Sequence, residues 1–109
     1  MIKIKTNILS GNVMMMTLYP FLLINKKYYA KLKPKDYNHE NIHAQQQKEM
    51  LIIFFYVWYI LEYLVRLVMH RGNFNKAYFN ISFEREAYEN EANEFYLKHR
   101  NFLNFLNYL

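Results

Sequence analysis

The sequence predicts an α+β fold: a small N-terminal β-hairpin or sheet followed by three helices, in a single domain spanning 1–109. Three observations point there. Apolar and polar residues alternate near the N-terminus, as in a half-buried strand. Between Pro34 and Gly72 the chain has neither glycine nor proline, which leaves a long helix-permissive stretch. From Phe83 onward the sequence is rich in glutamate and keeps an apolar repeat of helical period. A chain of 109 residues that is 53% hydrophobic, with 11 Tyr and 9 Phe, has enough side-chain volume for one core.

The elements follow in order. Met1–Thr6 alternates apolar residues with lysine and reads as a short strand; Asn7–Asn12, with Ser10 and Gly11, reads as a turn. Val13–Ile24 is apolar but holds Pro20, which argues against a central strand and a long helix. The expected hairpin pairs Met16–Ile24 with Tyr28–Leu32 across Asn25-Lys26-Lys27. The apolar run comes late, contains Pro20 and is followed by lysines, so it does not read as a signal peptide; a cytoplasmic location is expected.

Pro34 opens a helix, with Asp36 or Asn38 as its cap. Unbroken to His70 it would run about 50 Å at 1.5 Å per residue, whereas a domain of this size is nearer 30 Å across. A break is therefore expected near Met50–Phe54. Leu51–Met69 is almost wholly apolar and reaches the minimum length of a membrane span. Glu62 and Arg66, spaced as a helical ion pair, and three tyrosines favour a soluble core helix; membrane association is the alternative. His70–Asn75 reads as a turn, Lys76–Ser82 as a linker with Ser82 as N-cap. Phe83 to about Leu106 reads as one helix with Tyr88, Ala92, Phe95, Tyr96, Phe102 and Leu106 inward.

Charge divides the chain into a basic β-hairpin region (1–35) and a helical region (36–109). The first holds seven lysines and no acid; the second holds seven Lys/Arg against nine Asp/Glu. We read the lysines as guards of a strand edge rather than as a nucleic-acid or lipid patch, so no nucleic-acid partner is expected. The chain has no cysteine, so any metal must be held by histidine and carboxylate. No glycine-rich phosphate loop and no Ser or Cys nucleophile site is recognisable.

The helical region opens with His39-Glu40-Asn41-Ile42-His43. On a helix this H-E-x-x-H projects both imidazoles from one face, a turn apart, where two nitrogens can chelate one Zn²⁺ with Glu40 beside it. The competing reading is two solvated histidines on an ordinary helix. A catalytic zinc wants a third protein ligand. Glu84 and Glu86, two positions apart, point to opposite sides of a helix, so only one can serve. Glu84 shares its face with the small Ala87, with Tyr88 and with Glu91 and is the choice; Glu86 looks more solvated and is held in reserve. Read singly, these glutamates simply favour a helix N-terminus. Gln46 and Gln47 share the face of His43 and either support it or extend the helix. His70 and His99 lack ligand spacing. Tyr78, Tyr88, His99 and Arg100 are candidate donors to an oxyanion.

His39-Glu40-x-x-His43 followed by Glu84-x-x-Ala87 resembles the gluzincin metallopeptidases, in their minimal soluble form, the minigluzincins, which are similar to the catalytic cores of membrane peptidases such as the CAAX prenyl endopeptidases. The resemblance covers roughly residues 16–97. It implies Zn²⁺ held by His39, His43 and Glu84, Glu40 as general base, and a peptide or protein substrate. It also implies that such a scaffold is latent, here with Asn101–Leu109 over the cleft. Where the membrane relatives read E-x-x-A-D, this chain has Tyr88 in place of the aspartate. The alternatives are a non-proteolytic or structural zinc domain, and a membrane-surface or partner-binding module using the basic arm and the apolar helix.

Overall fold

The computed structural model describes residues 1–9 and 11–109; of the expected turn at Asn7–Asn12, Ser10 lies outside them. The fold is α+β, with a three-stranded sheet at the N-terminus followed by helices. β1 (Ile2–Thr6) runs parallel to β3 (Phe21–Asn25), and β2 (Met15–Leu18) runs antiparallel to β3 on its other side.

The hairpin differs from the expected one. It closes within the apolar run, with Thr17 opposite Leu22 and Leu18 opposite Phe21. Tyr19 and Pro20 make the turn, where a residue without an N–H costs no ladder bond. Tyr28–Leu32 is no strand, because Lys26–Lys31 forms a 3₁₀ turn. The buried Asn25 dictates this: its side chain accepts from the Lys27 N–H at 3.0 Å and donates to the Val13 carbonyl at 2.9 Å, a local bond that outcompetes a further strand.

α1 (Pro34–Glu49) starts on Pro34 with Lys33 as its N-cap; Asp36 accepts from the Lys33 N–H at 2.9 Å instead of capping directly. Asn38 is not a cap either: it donates to the Glu91 and Asn93 carbonyls, tying α1 to the end of α4 (Ser82–Asn90). The expected break is present at Met50–Ile52, where α1 and α2 (Ile53–Met69) bend by 112°. Leu51 and Ile52 take φ of 54° and 63° there, uncommon values for residues with a side chain and costly for a β-branched one. Among the described residues no single helix is long and apolar enough to cross a membrane.

α2 is not the fully covered core helix expected. Of its residues only Phe55 and Glu62 are buried. The core lies on one side of it, where Phe55, Ile81, Phe83 and Phe105 meet. Glu62 makes the expected pair with Arg66 at 3.4 Å and also accepts from the N–H and hydroxyl of Ser82, which begins α4. Ser82 is thus the first helical residue rather than the N-cap, with Glu62 supplying the capping acceptor. Within the expected linker, Phe74–Phe79 forms a short helix, α3.

The long C-terminal helix is also corrected. α4 covers Ser82–Asn90 only; a single turn, α5 (Tyr96–His99), and a 3₁₀ turn at Asn104–Tyr108 follow. Arg100 pairs with Glu86 and Glu49, which folds the tail back across α4 and seats Phe105 against Phe83 and Trp58. A straight helix would carry Phe105 away from that core, so burial of Phe105 wins. Tyr88, Phe95, Phe102 and Leu106, expected inward, are exposed.

A candidate metal centre

Helix geometry brings the first two side chains together. His39 and His43, one turn apart on the buried face of α1, place their Nε2 atoms 3.1 Å from each other. The first turn of α4 supplies the third group: Glu84 Oε1 lies 3.1 Å from His43 Nε2 and 3.3 Å from His39 Nε2. Ala87, fully buried one turn on, lets α4 approach α1 closely.

These three atoms form a nearly equilateral triangle. Ligands at about 2.0–2.1 Å around a tetrahedral ion sit about 3.3 Å apart, so the triangle matches one face of a tetrahedral zinc site. His39, Glu40 and His43 also form a compact group able to hold an ion. Glu40 is the more distant carboxylate, with Oε2 3.8 Å from His39 Nε2, and its Oε1 is engaged by the Thr17 hydroxyl at 2.9 Å. Distance therefore puts Glu84, rather than Glu40, at the third corner of the triangle and leaves Glu40 beside it.

His43 is oriented from behind by a hydrogen bond, and His39 has a carboxylate within ion-pair reach. Gln46 Oε1 lies 2.8 Å from His43 Nδ1, and Glu91 Oε1 lies 3.4 Å from His39 Nδ1. An acceptor at Nδ1 places the proton there and turns the Nε2 lone pair of a neutral ring toward the triangle. Glu91, the residue just past the end of the Ser82–Asn90 helix, is the carboxylate that approaches His39. Glu84 Oε2 accepts from the Tyr59 hydroxyl at 2.8 Å, and Tyr78 donates to Oε1 at 3.2 Å. Tyr78 and Tyr88 hydroxyls are 3.0 Å apart.

The charges follow from this geometry. Burial alone would lower the His43 pKa, but the Glu84 carboxylate against it pushes it up to about 9. Burial opposes ionisation of Glu84 too, yet the two imidazoles hold it far below the usual carboxylate range. Burial raises Glu40, partly offset by His43, His39 and the Thr17 hydroxyl. Burial likewise raises Tyr59 and Tyr78, which stay protonated donors.

The site lines a cleft of about 690 Å³ whose walls include Met14 to Thr17 of the β2 region, Tyr56, Tyr78, Phe79 and Tyr88. β2 is an edge strand, and part of its outer edge is occupied. Gln47 accepts from the Tyr19 N–H at 2.8 Å and donates to the Thr17 carbonyl at 2.9 Å, pairing with the strand as a neighbouring strand would.

Several expectations change here. Glu86 is fully buried and faces Arg100, Tyr96 and Gln46 rather than solvent or the histidines. Arg100 is held between Glu86 and Glu49 and His99 is exposed, so of the candidate oxyanion donors only Tyr78 and Tyr88 line the cleft. Asn101–Leu109 contributes nothing to the cleft lining, since Phe105 anchors it in the core. Sequence reasoning missed Thr17 and Tyr59; they reach the site from elements that only the fold brings together. The chain matches no family model, no curated protein and no solved structure.

Proposed function

We propose that this protein is a zinc-dependent metallopeptidase with Zn²⁺ held by His39, His43 and Glu84. The observation that carries the reading is the triangle of His39 Nε2, His43 Nε2 and Glu84 Oε1, with sides of 3.1, 3.1 and 3.3 Å, at the wall of an open cleft. Three ligands and an open side suit a catalytic site better than a structural one, which closes with four. Bound there, the ion supplies Lewis acidity, making water a stronger acid and a carbonyl a better electrophile.

The chain's own groups do the rest. Glu40, its pKa raised by burial, takes the proton of the attacking water and hands it to the leaving amine. Thr17 fixes the Glu40 carboxylate in place for that transfer. With the Tyr78 proton committed to Glu84, the Tyr88 hydroxyl, 3.0 Å from Tyr78 at the cleft wall, is the group that turns to donate to the oxyanion developing on the carbonyl. An extended peptide aligns along the β2 edge near Met15, beyond the stretch that Gln47 covers.

The test is metal content after purification without chelator, alongside peptide hydrolysis. Near one zinc per chain is expected, lost in His43→Ala and Glu84→Ala and kept in Glu86→Gln and Glu40→Gln. Hydrolysis should vanish in Glu40→Gln. Failure to take up zinc even when it is added back overturns the proposal. Full zinc occupancy without turnover of any peptide would leave a structural metal domain instead.

A further inference from the structure

The face of α2 opposite the metal site is apolar and uncovered. Phe54, Val57, Leu61, Leu64 and Val68 are 61, 51, 59, 52 and 80% exposed. Their spacing is three, four, three, four, the seam of a heptad repeat. Ile53, Ile60 and Val65, each more than half exposed, widen the stripe. At half exposure or more each residue leaves on the order of 100 Å² uncovered, so these eight together expose on the order of 900 Å². A soluble monomer's largest patch is roughly 300–600 Å², and a stable interface takes about 800 Å² from each partner.

From this we infer that α2 is a self-association surface, packing against α2 of a second copy of the chain. The area fits a dimer and the 3-4 spacing fits knobs-into-holes packing with another helix. The charge pattern argues against a lipid surface. Within Ile53–Met69 the charged residues are Glu62 and Arg66, which neutralise each other at 3.4 Å on the covered side. A helix lying on a membrane carries lysine and arginine along its polar face, and this one has no such border. A two-fold pair brings the same surface from both copies, and opposed helix dipoles favour the antiparallel arrangement. Leu61, the middle of the five seam residues, then sits on the two-fold axis, with Phe54 facing Val68 of the second copy.

Sedimentation of the zinc-loaded full chain tests this. The wild type should sediment at twice the chain mass, with a dissociation constant of about 10 µM or tighter. Leu61→Glu combined with Leu64→Glu should halve the mass while helix content and zinc content stay unchanged, since both side chains are exposed. The chain has no cysteine, so Leu61→Cys gives a clean probe. Under mild oxidation it should form a disulfide-linked dimer, and Phe54→Cys should not. A wild type that is monomeric at about 100 µM overturns the inference. So does a double glutamate variant that stays dimeric, or monomeric protein that floats with neutral phosphatidylcholine vesicles.

Discussion

Replacing Arg100 with methionine isolates the contact that folds the tail back onto the helices. The Arg100 side chain is 1% exposed, Glu86 0% and Glu49 7%, so solvent screens this network little. Arg100 donates to Glu49 Oε2 at 2.7 Å and to Glu86 Oε1 at 3.0 Å. Methionine keeps most of the volume but leaves Glu86 a buried charge with only Gln46, Tyr96 and Asn104 as donors. Breaking a buried pair from one side costs about 3–5 kcal/mol, against a total stability of about 5–15 kcal/mol for a small domain. With a urea slope of about 1.5 kcal/mol per molar, the midpoint should fall by about 2–3 M. The assay is urea unfolding of the metal-free protein at neutral pH, followed by far-UV circular dichroism. Glu86→Gln in the same background should recover part of the loss, because a neutral amide needs no counter-charge. The Glu86 carboxyl is held below its usual range, where the bonds from Arg100 and Tyr96 outweigh burial. Its stabilisation is therefore present above the unfolded carboxylate pKa and lost as pH falls through the folded value. The gap between wild type and Arg100→Met should narrow below about pH 4. A loss under about 1 kcal/mol at neutral pH would refute the reasoning, because the network would then behave like a surface pair.

Other outcomes follow from the site. Gln46→Ala removes the group behind His43 Nδ1 and should weaken zinc binding about 10–100-fold, read by competition with a chromogenic chelator. In the metal-free chain His43 is raised to about 9, so it stabilises the fold fully below about 6.5 and loses that contribution as pH rises through about 9. Zinc added at pH 7 should then release about one proton, measured by calorimetry in buffers of different ionisation enthalpy. Thr17→Val removes a hydroxyl that lowers the Glu40 pKa. The acid limb of its pH–rate profile should move to higher pH while zinc content stays the same.

Some features of this protein are local, and these the sequence determined by itself. Two histidines four positions apart on a helix must share a face, and opposite helix faces separate Glu84 from Glu86. A stretch too long for the domain had to bend, and it does so at Met50–Ile52. Other features depend on partners distant in the chain, and only the tertiary structure decided them. Asn25 turns the backbone at Lys26 because Val13 is there to accept its amide. Glu86 looks solvated beside its sequence neighbours and is buried because Arg100, 14 residues on, folds back to it. Thr17 meets Glu40 across 23 residues, with no local pattern to announce it. The apolar run of α2 is two-sided in sequence, with Tyr59, Glu62, Tyr63 and Arg66 on one face and the 3-4 apolar seam on the other. That pattern does not say which side is buried. Which face is covered follows from Phe83 and Phe105 packing onto one side, since a core of this size has side chains enough to bury only that one.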